Sequence, residues 1–271
     1  MIILRQKKSP QHNNRNYTHP QEPRYADLHL AKVSPHPGNT LKVVSYNIEY
    51  SKKISQAVKL LQTHEDLKNA DVICLQEMTL EAVRTIGEAL KYNYVYYPAL
   101  LHPVLAKDFG NAILSKWPIV HDQKILLPHS NPKSSQRVAV ISTIYFQNKP
   151  VVITCVHLKV LIKPSFRKEQ ITKLLKNLPL EELPIIIAGD FNTFTKANNQ
   201  AISDPLIKAD FIPATDGLGW SHKHWTLLNK KSQLDHIFIK GLEIVKTGKV
   251  INRKSSDHIP IWAELAFSSD S

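Results

Sequence analysis

Five short segments of this chain each end an apolar, strand-like run with acidic, amide or imidazole side chains. They are Ser45-Tyr46-Asn47-Ile48-Glu49, Leu75-Gln76-Glu77, Gly189-Asp190-Phe191-Asn192, Leu234-Asp235-His236 and Ser256-Asp257-His258. Strand ends in a packed sheet converge on one rim, where loops keep unpaired carboxylates out of the apolar interior. Such a rim would gather Asn47, Glu77, Asp190, Asn192, Asp235, Asp257 and His258. That set suits metal-assisted hydrolysis of a phosphate ester. The reaction loads negative charge onto the non-bridging and leaving oxygens, and a hard divalent cation offsets both. Magnesium takes oxygen ligands and keeps several of its waters, so a few carboxylates from separate strands suffice, and manganese can substitute.

Each segment also has a plainer reading. Asn47 and Glu49 lie two apart and, on an extended backbone, would point to the same side, although an asparagine after a strand is commonly a turn former. Glu77 ends a buried run that would deliver its carboxylate to the strand end. Gly189 is expected to let the chain turn after Ile185-Ile186-Ile187-Ala188, with Asp190 and Asn192 sharing a side. A strand-to-turn junction explains the glycine and the asparagine but not the acid. His157 closes the run Val151–Val156, where a lone histidine is usually a satisfied cap. Arg137 heads the run Val138–Ile141 with a rigid fork suited to phosphate, or as a surface charge. Asn111, in Gly110-Asn111-Ala112-Ile113-Leu114-Ser115, is either a turn residue or a substrate contact.

Taken together, these segments resemble the endonuclease/exonuclease/phosphatase superfamily, whose fold is typified by deoxyribonuclease I, over residues 41 to 267. The resemblance implies a four-layer α/β sandwich: two mixed β-sheets packed face to face and flanked by helices. It implies that Asn47, Glu77 and Asp257 face the metal, and that an acid at Glu49 joins them only in some branches. Asp190 would contact the attacking water or the leaving oxygen, and Asn192 would orient the phosphate. His258 would be held by Asp235, as general base or phosphate-stabilising cation. His157, followed by Leu158 as in the family, would stabilise phosphoryl oxygens; Gly110–Ser115 is a further family-like strand entry, and Arg137 and Asn111 remain candidates for the substrate phosphate on residue type alone. His236 should point away from the site as a structural residue.

Departures from particular branches narrow the substrate less than the chemistry. Met78-Thr79 and Gln233-Leu234 stand where apurinic-site endonucleases carry Thr-Lys and an arginine. Gln233-Leu234-Asp235-His236 also lacks the signature of the inositol-polyphosphate phosphatases, and His157-Leu158-Lys159 lacks the His-x-Gln of secreted sphingomyelinases. No acid stands near Tyr97-Pro98-Ala99-Leu100 to pair with His157 as in the deoxyribonucleases. The resemblance implies a generic bacterial-type phosphoester hydrolase, with nucleic-acid phosphodiesters ahead of lipid substrates. A lipid-headgroup or anchor phosphodiesterase would need an apolar patch, for which Trp220, Trp225, Leu227 and Leu228 are the candidates. A catalytically inactive binding module should lack a core residue, and none is missing.

The elements that must position these groups are legible in part. Ile54, Val58 and Leu61 recur at helical spacing through Asn69, and Leu80, Val83, Ile86 and Leu90 mark a second helix ending near Tyr92-Asn93. Ile171, Leu174, Leu175 and Leu178 mark a third over residues 166–178. Strands are expected at Ala112–Leu114, Val138–Phe146, Val151–Val156, Ile185–Ala188, Ile237–Ile239 and Ile261–Phe267. Candidate groups run from Asn47 to His258, so 41–271 is expected to be one domain, and the Asn-, His- and Pro-rich residues 1–40 an irregular basic arm.

The 271 residues are 42% hydrophobic, enough for a sizeable core without disulfides. Cys74 and Cys155 lie inside apolar runs and are expected as buried thiols. The net charge of +12 favours phosphate-rich partners or serves solubility. The start, Met1–Leu4 then Arg5, is too short for a signal-peptide core, and no run approaches a membrane span. The expectation is a cytoplasmic monomer, with leaderless secretion as the alternative.

Overall fold

The computed structural model describes residues 15–31, 38–129, 131, 134–180, 183–223 and 230–268. The strands are β1 (Arg15–Asn16), β2 (Tyr25–Asp27), β3 (Leu41–Asn47), β4 (Val72–Met78), β5 (Asn93–Leu101), β6 (Asp108–Ser115), β7 (Ile119–Leu127), β8 (Arg137–Phe146), β9 (Lys149–His157), β10 (Ile185–Asp190), β11 (Ile212–Pro213), β12 (His222–Lys223), β13 (Lys231–Ser232), β14 (Asp235–Lys240), β15 (Leu242–Lys249) and β16 (Ile261–Phe267). The helices are α1 (Ile54–Thr63), α2 (Leu80–Leu90), α3 (Pro164–Leu175) and α4 (Lys196–Lys208).

One large sheet runs β1-β5-β6-β4-β3-β16-β15 with β2 also on β5, a second runs β11-β14-β10-β9-β8-β7, and β12 pairs with β13 in a small third. In each large sheet, one parallel pair, β3 with β4 and β9 with β10, sits among antiparallel neighbours. Alternation along the strands builds three cores and hence four layers. Leu41, Val43, Val72 and Cys74 face β9 and β10 residues such as Cys155, Ile186 and Ala188 between the sheets. Val44, Tyr46, Ile73 and Leu75 point the other way, onto Ala57, Leu61, Val83 and Ile86 of α1 and α2. Ile185, Ile187 and Val156 do the same for Ile171, Leu174, Ile202 and Leu206 of α3 and α4. The expected sandwich is therefore the observed fold, and Cys74 and Cys155 are buried thiols outside any disulfide.

Some elements differ from expectation. α1 stops at Thr63 because His64 turns extended (ψ 129°) and turns occupy the segment up to Asn69. α4 was not expected, since Pro205 lies inside it and only Ile202 and Leu206, four apart, are buried. Gly189 lies within β10 rather than in a turn. A Cβ there would stand 1.9 Å from the Val156 carbonyl oxygen, so the glycine permits close packing against β9. The described part of the N-terminal region is laid on the sheet edge. Tyr25–Asp27 pairs with Tyr94–Tyr96, and Arg24 grips Asp122 with two bonds of 2.6 and 2.7 Å.

Candidate active site

Strands β3, β4, β9 and β10 end, and β14 begins, at one rim, and the loop carrying Ser256-Asp257-His258 lies against it. Parallel pairing puts Asp190 beside His157, and antiparallel pairing puts it beside Asp235. Asn47 and Gln76 are likewise partners on β3 and β4, so Glu77 follows directly. The result is a cavity of about 260 Å³ lined by Glu49, Glu77, Arg137, His157, Asp190, Asn192, Asp257 and His258, with Tyr50 and His222 at its sides.

Asp190 is the hub. Its Oδ2 accepts from Asn47 Nδ2 at 3.0 Å and from Asn192 Nδ2 at 3.3 Å, and its Oδ1 accepts from the Asn192 amide at 2.9 Å. The same Oδ2 lies 3.5 Å from His157 Nε2 and 3.8 Å from His258 Nε2. Asn192 holds left-handed backbone (φ 54°), which lets both its amides address Asp190, and its Nδ2 also donates to Leu158 O at 3.0 Å. Asp235 Oδ2 sits 2.7 Å from His258 Nδ1, and Asp235 is fixed in turn by Ser221, whose Oγ accepts from the amides of Leu234 and Asp235. Glu77 accepts from Asn47 Nδ2 at 3.4 Å and from the Tyr50 amide at 2.9 Å.

The two histidines are tuned in opposite directions. Burial, reinforced by Arg137 and His258, holds His157 well below the usual imidazole range, so it is neutral at pH 7. Burial opposes charge on His258 too, but Asp235 and Asp190 outweigh it and push the imidazole up to about 10. His258 is therefore a cation near neutral pH, the phosphate-stabilising alternative rather than a resting base. Burial raises Asp190 to about 6 against the pull of His258, and burial raises Glu77 as well. Burial also lowers Arg137, against Glu77 and Asp190, and its buried Nε has no hydrogen-bond partner. Asp257, resisting burial through His222 and His258, stays below the usual carboxylate range. Carboxylates thus outnumber cations around the cavity. Glu77 and Asp257 present carboxylate oxygens of the kind a hard divalent cation takes, and the raised Glu77 is a carboxyl that a cation would relieve, while Asn47 Oδ1, beside them, accepts from the Glu49 amide at 3.1 Å.

Two expected residues stand differently from the rest. Asn111 is buried on β6 and donates to Val138 O at 2.9 Å, so it braces the start of β8, next to Arg137, and does not line the cavity. Glu49 reaches the rim but not through strand alternation. The strand ends at Asn47, residues 49–51 all have positive φ, and the Glu49 carboxylate pairs with Lys52 at 2.6 Å. His236 faces away, its Nε2 2.9 Å from Thr193 Oγ1, and burial lowers it to about 4.

Besides Ser221, sequence reasoning missed two residues. His222, whose Nε2 is 3.4 Å from Asp257 Oδ2, lies in an aperiodic stretch and reaches the site through an isolated antiparallel bridge to His258. Arg167 of α3 is fully buried behind the site. It donates through Nη1 to Phe191 O, through Nη2 to Lys159 O at 3.0 Å, and through Nε to Asn198 Oδ1 at 3.3 Å. Only its place on the buried face of α3, among Ile171 and Leu174, hinted at a role.

A sequence model of the endonuclease/exonuclease/phosphatase family matches residues 44–258. The chain belongs to this family, whose members are phosphoester hydrolases that generally use divalent metals. It is 31% identical over 103 residues, 38% of its length, to a UPF0294 protein of Vibrio vulnificus (strain YJ016). The chain spans about a third of the length of the curated relatives it matches, 34% in this case. Among solved structures, an endonuclease/exonuclease/phosphatase from Beutenbergia cavernae superposes with a TM-score of 0.69 at 16% identity, covering 85% of this chain and 72% of that one. The human Nocturnin catalytic domain with bound sulfate superposes at 0.66 with 22% identity, covering 87% and 97%. No helix among the described residues is long and apolar enough to cross a membrane.

Proposed function

We propose that this chain is a magnesium-dependent phosphodiesterase acting on nucleic acid. The observation that carries this is the Asp190 carboxylate, held by Asn47 and Asn192 and flanked by a neutral His157 and a cationic His258 in a cavity that also receives Arg137. Asn47, Glu77 and Asp257 would hold the ion, which supplies Lewis-acid stabilisation of phosphoryl charge when bound. Asp190, raised to about 6 yet mostly ionised at pH 7, accepts the proton of the attacking water. The His258 imidazolium, kept charged by Asp235, faces the developing negative charge, and Arg137 and the His157 N–H add donors to the phosphoryl oxygens. Asn192 fixes Asp190 and orients the phosphate.

The substrate class rests on charge. The net charge of +12 suits a polyanion. Trp220, offered for a lipid-facing patch, has Lys231 and Lys249 over its ring at 4.9 and 5.2 Å. A lysine-flanked indole fits a nucleic-acid strand better than a bilayer. Trp225, Leu227 and Leu228 lie outside the described residues. The test is a panel of plasmid DNA, RNA, oligonucleotides, phospholipids and inositol phosphates, with and without magnesium. Magnesium-dependent cleavage of DNA or RNA is expected. Turnover of lipid or small phosphoesters alone would overturn the substrate assignment, and full activity after chelator treatment would overturn the metal dependence.

A further inference from the structure

His222 has no part in the hydrolytic chemistry just described, yet it completes a donor set of different character. One ligand atom each from His222, Asp257 and His258 lies within 4.8 Å of the others. We propose that these three residues form a second cation site, selective for a borderline transition metal ion of the zinc class, which shares Asp257 with the oxygen-donor position of Asn47 and Glu77.

The geometry is close to what such an ion requires. Zinc bonds of about 2.0–2.1 Å in a tetrahedron put neighbouring ligand atoms about 3.4 Å apart, and His222 Nε2 stands 3.4 Å from Asp257 Oδ2. The remaining pairs lie within 4.8 Å, and the backbone beneath the three residues is tied together. His222 and His258 form an antiparallel bridge, Ile259 N donates to Ser221 O at 2.8 Å, and Lys223 N donates to Asp257 O at 3.2 Å. The imidazole rings lie 4.7 Å apart, centroid to centroid. Asp235 on His258 Nδ1 leaves Nε2 as the coordinating atom, the carboxylate–histidine arrangement that orients metal-binding imidazoles. Asp257 Oδ1 points instead toward Ser256 Oγ at 3.4 Å, so its two oxygens serve different sides.

Donor type sets the selectivity. Magnesium disfavours nitrogen, whereas two imidazoles and a carboxylate suit zinc or cobalt. An ion on His258 Nε2 would engage the atom that lies 3.8 Å from Asp190 Oδ2, so occupancy withdraws that nitrogen from the cavity. Zinc should therefore inhibit magnesium-supported hydrolysis.

The test uses the full chain in saturating magnesium. Zinc binding is measured by calorimetry, and cobalt binding by visible absorption, for wild type, His222→Leu, His222→Gln and Glu77→Gln, with folding of each checked by thermal unfolding. One zinc per chain is expected, with at least a tenfold loss of affinity in both His222 variants and little change in Glu77→Gln. Equal affinity in wild type and the His222 variants overturns the site. So does one-for-one displacement of zinc by magnesium, which would mean a single shared position. These readouts are independent of whether any phosphoester is turned over.

Discussion

Arg167 offers a direct test of how the site is held from behind. Replacing it with methionine keeps much of the aliphatic volume on α3 but removes the fork that ties Phe191 O to Lys159 O. Those carbonyls follow Asp190 and His157 by one and two residues. Each buried carbonyl left without a donor costs about 1–3 kcal/mol, or about 2–6 kcal/mol for the pair. Burial already holds the Arg167 guanidinium down to about 10. Losing it therefore recovers some desolvation, and the net cost should be about 2–3 kcal/mol. At about 2–4 °C per kcal/mol for a chain of this size, Tm should fall by about 5–10 °C. Freed loops that shift by about 1 Å would lower kcat by about a hundredfold. Arg167→Lys, which retains a charge but reaches fewer acceptors, should lie between. Calorimetry together with kcat on a chromogenic diester decides. A Tm within a degree of wild type and an unchanged kcat would refute the bracing argument.

Asp235→Asn should lower the His258 pKa from about 10, read directly by imidazole NMR, and should move the alkaline limb of the activity profile to lower pH. The sign for stability follows from a folded-state value above the unfolded one. The contribution of His258 is complete below pH 6.5 and is lost as pH rises through about 10, so wild-type Tm should fall across that window more steeply than that of Asp235→Asn. Glu77→Gln should weaken magnesium affinity at least tenfold while leaving Tm close to wild type, measured by calorimetry on the purified protein. Because residues 15–31 lie on the sheet edge, the contribution of the arm to polyanion binding is tested by deleting residues 1–14. The salt dependence of oligonucleotide affinity should become shallower with turnover on a small diester unchanged, and equal slopes would show that this segment does not bind.

The parts legible in the sequence share one property: their partners follow from backbone periodicity. Val43 and Val44 face opposite cores because a strand alternates, and the same rule carries Asp190 and Asn47 to strand ends that neighbouring strands also reach. Where the backbone leaves the extended region the rule fails. Ile48 already departs from it (ψ 44°), and the left-handed run after it turns Glu49 toward Lys52 rather than alongside Asn47. α4 was hidden for a related reason, since a proline and two buried side chains give no stripe to read.

The groups that escaped notice altogether act largely on atoms every residue possesses. Arg167 reads two backbone carbonyls, and Ser221 reads two amides, so nothing about either partner's residue type marks it in the chain. His222 meets His258 through a backbone bridge between segments 36 positions apart. The division has a physical basis. Reacting groups must be of particular types and so leave a signature, whereas the groups that hold them need only present a donor or acceptor at the right place. Substitutions that spare every motif residue and alter only this supporting layer should therefore impair the site while the recognisable sequence remains intact, as Arg167→Met is expected to do.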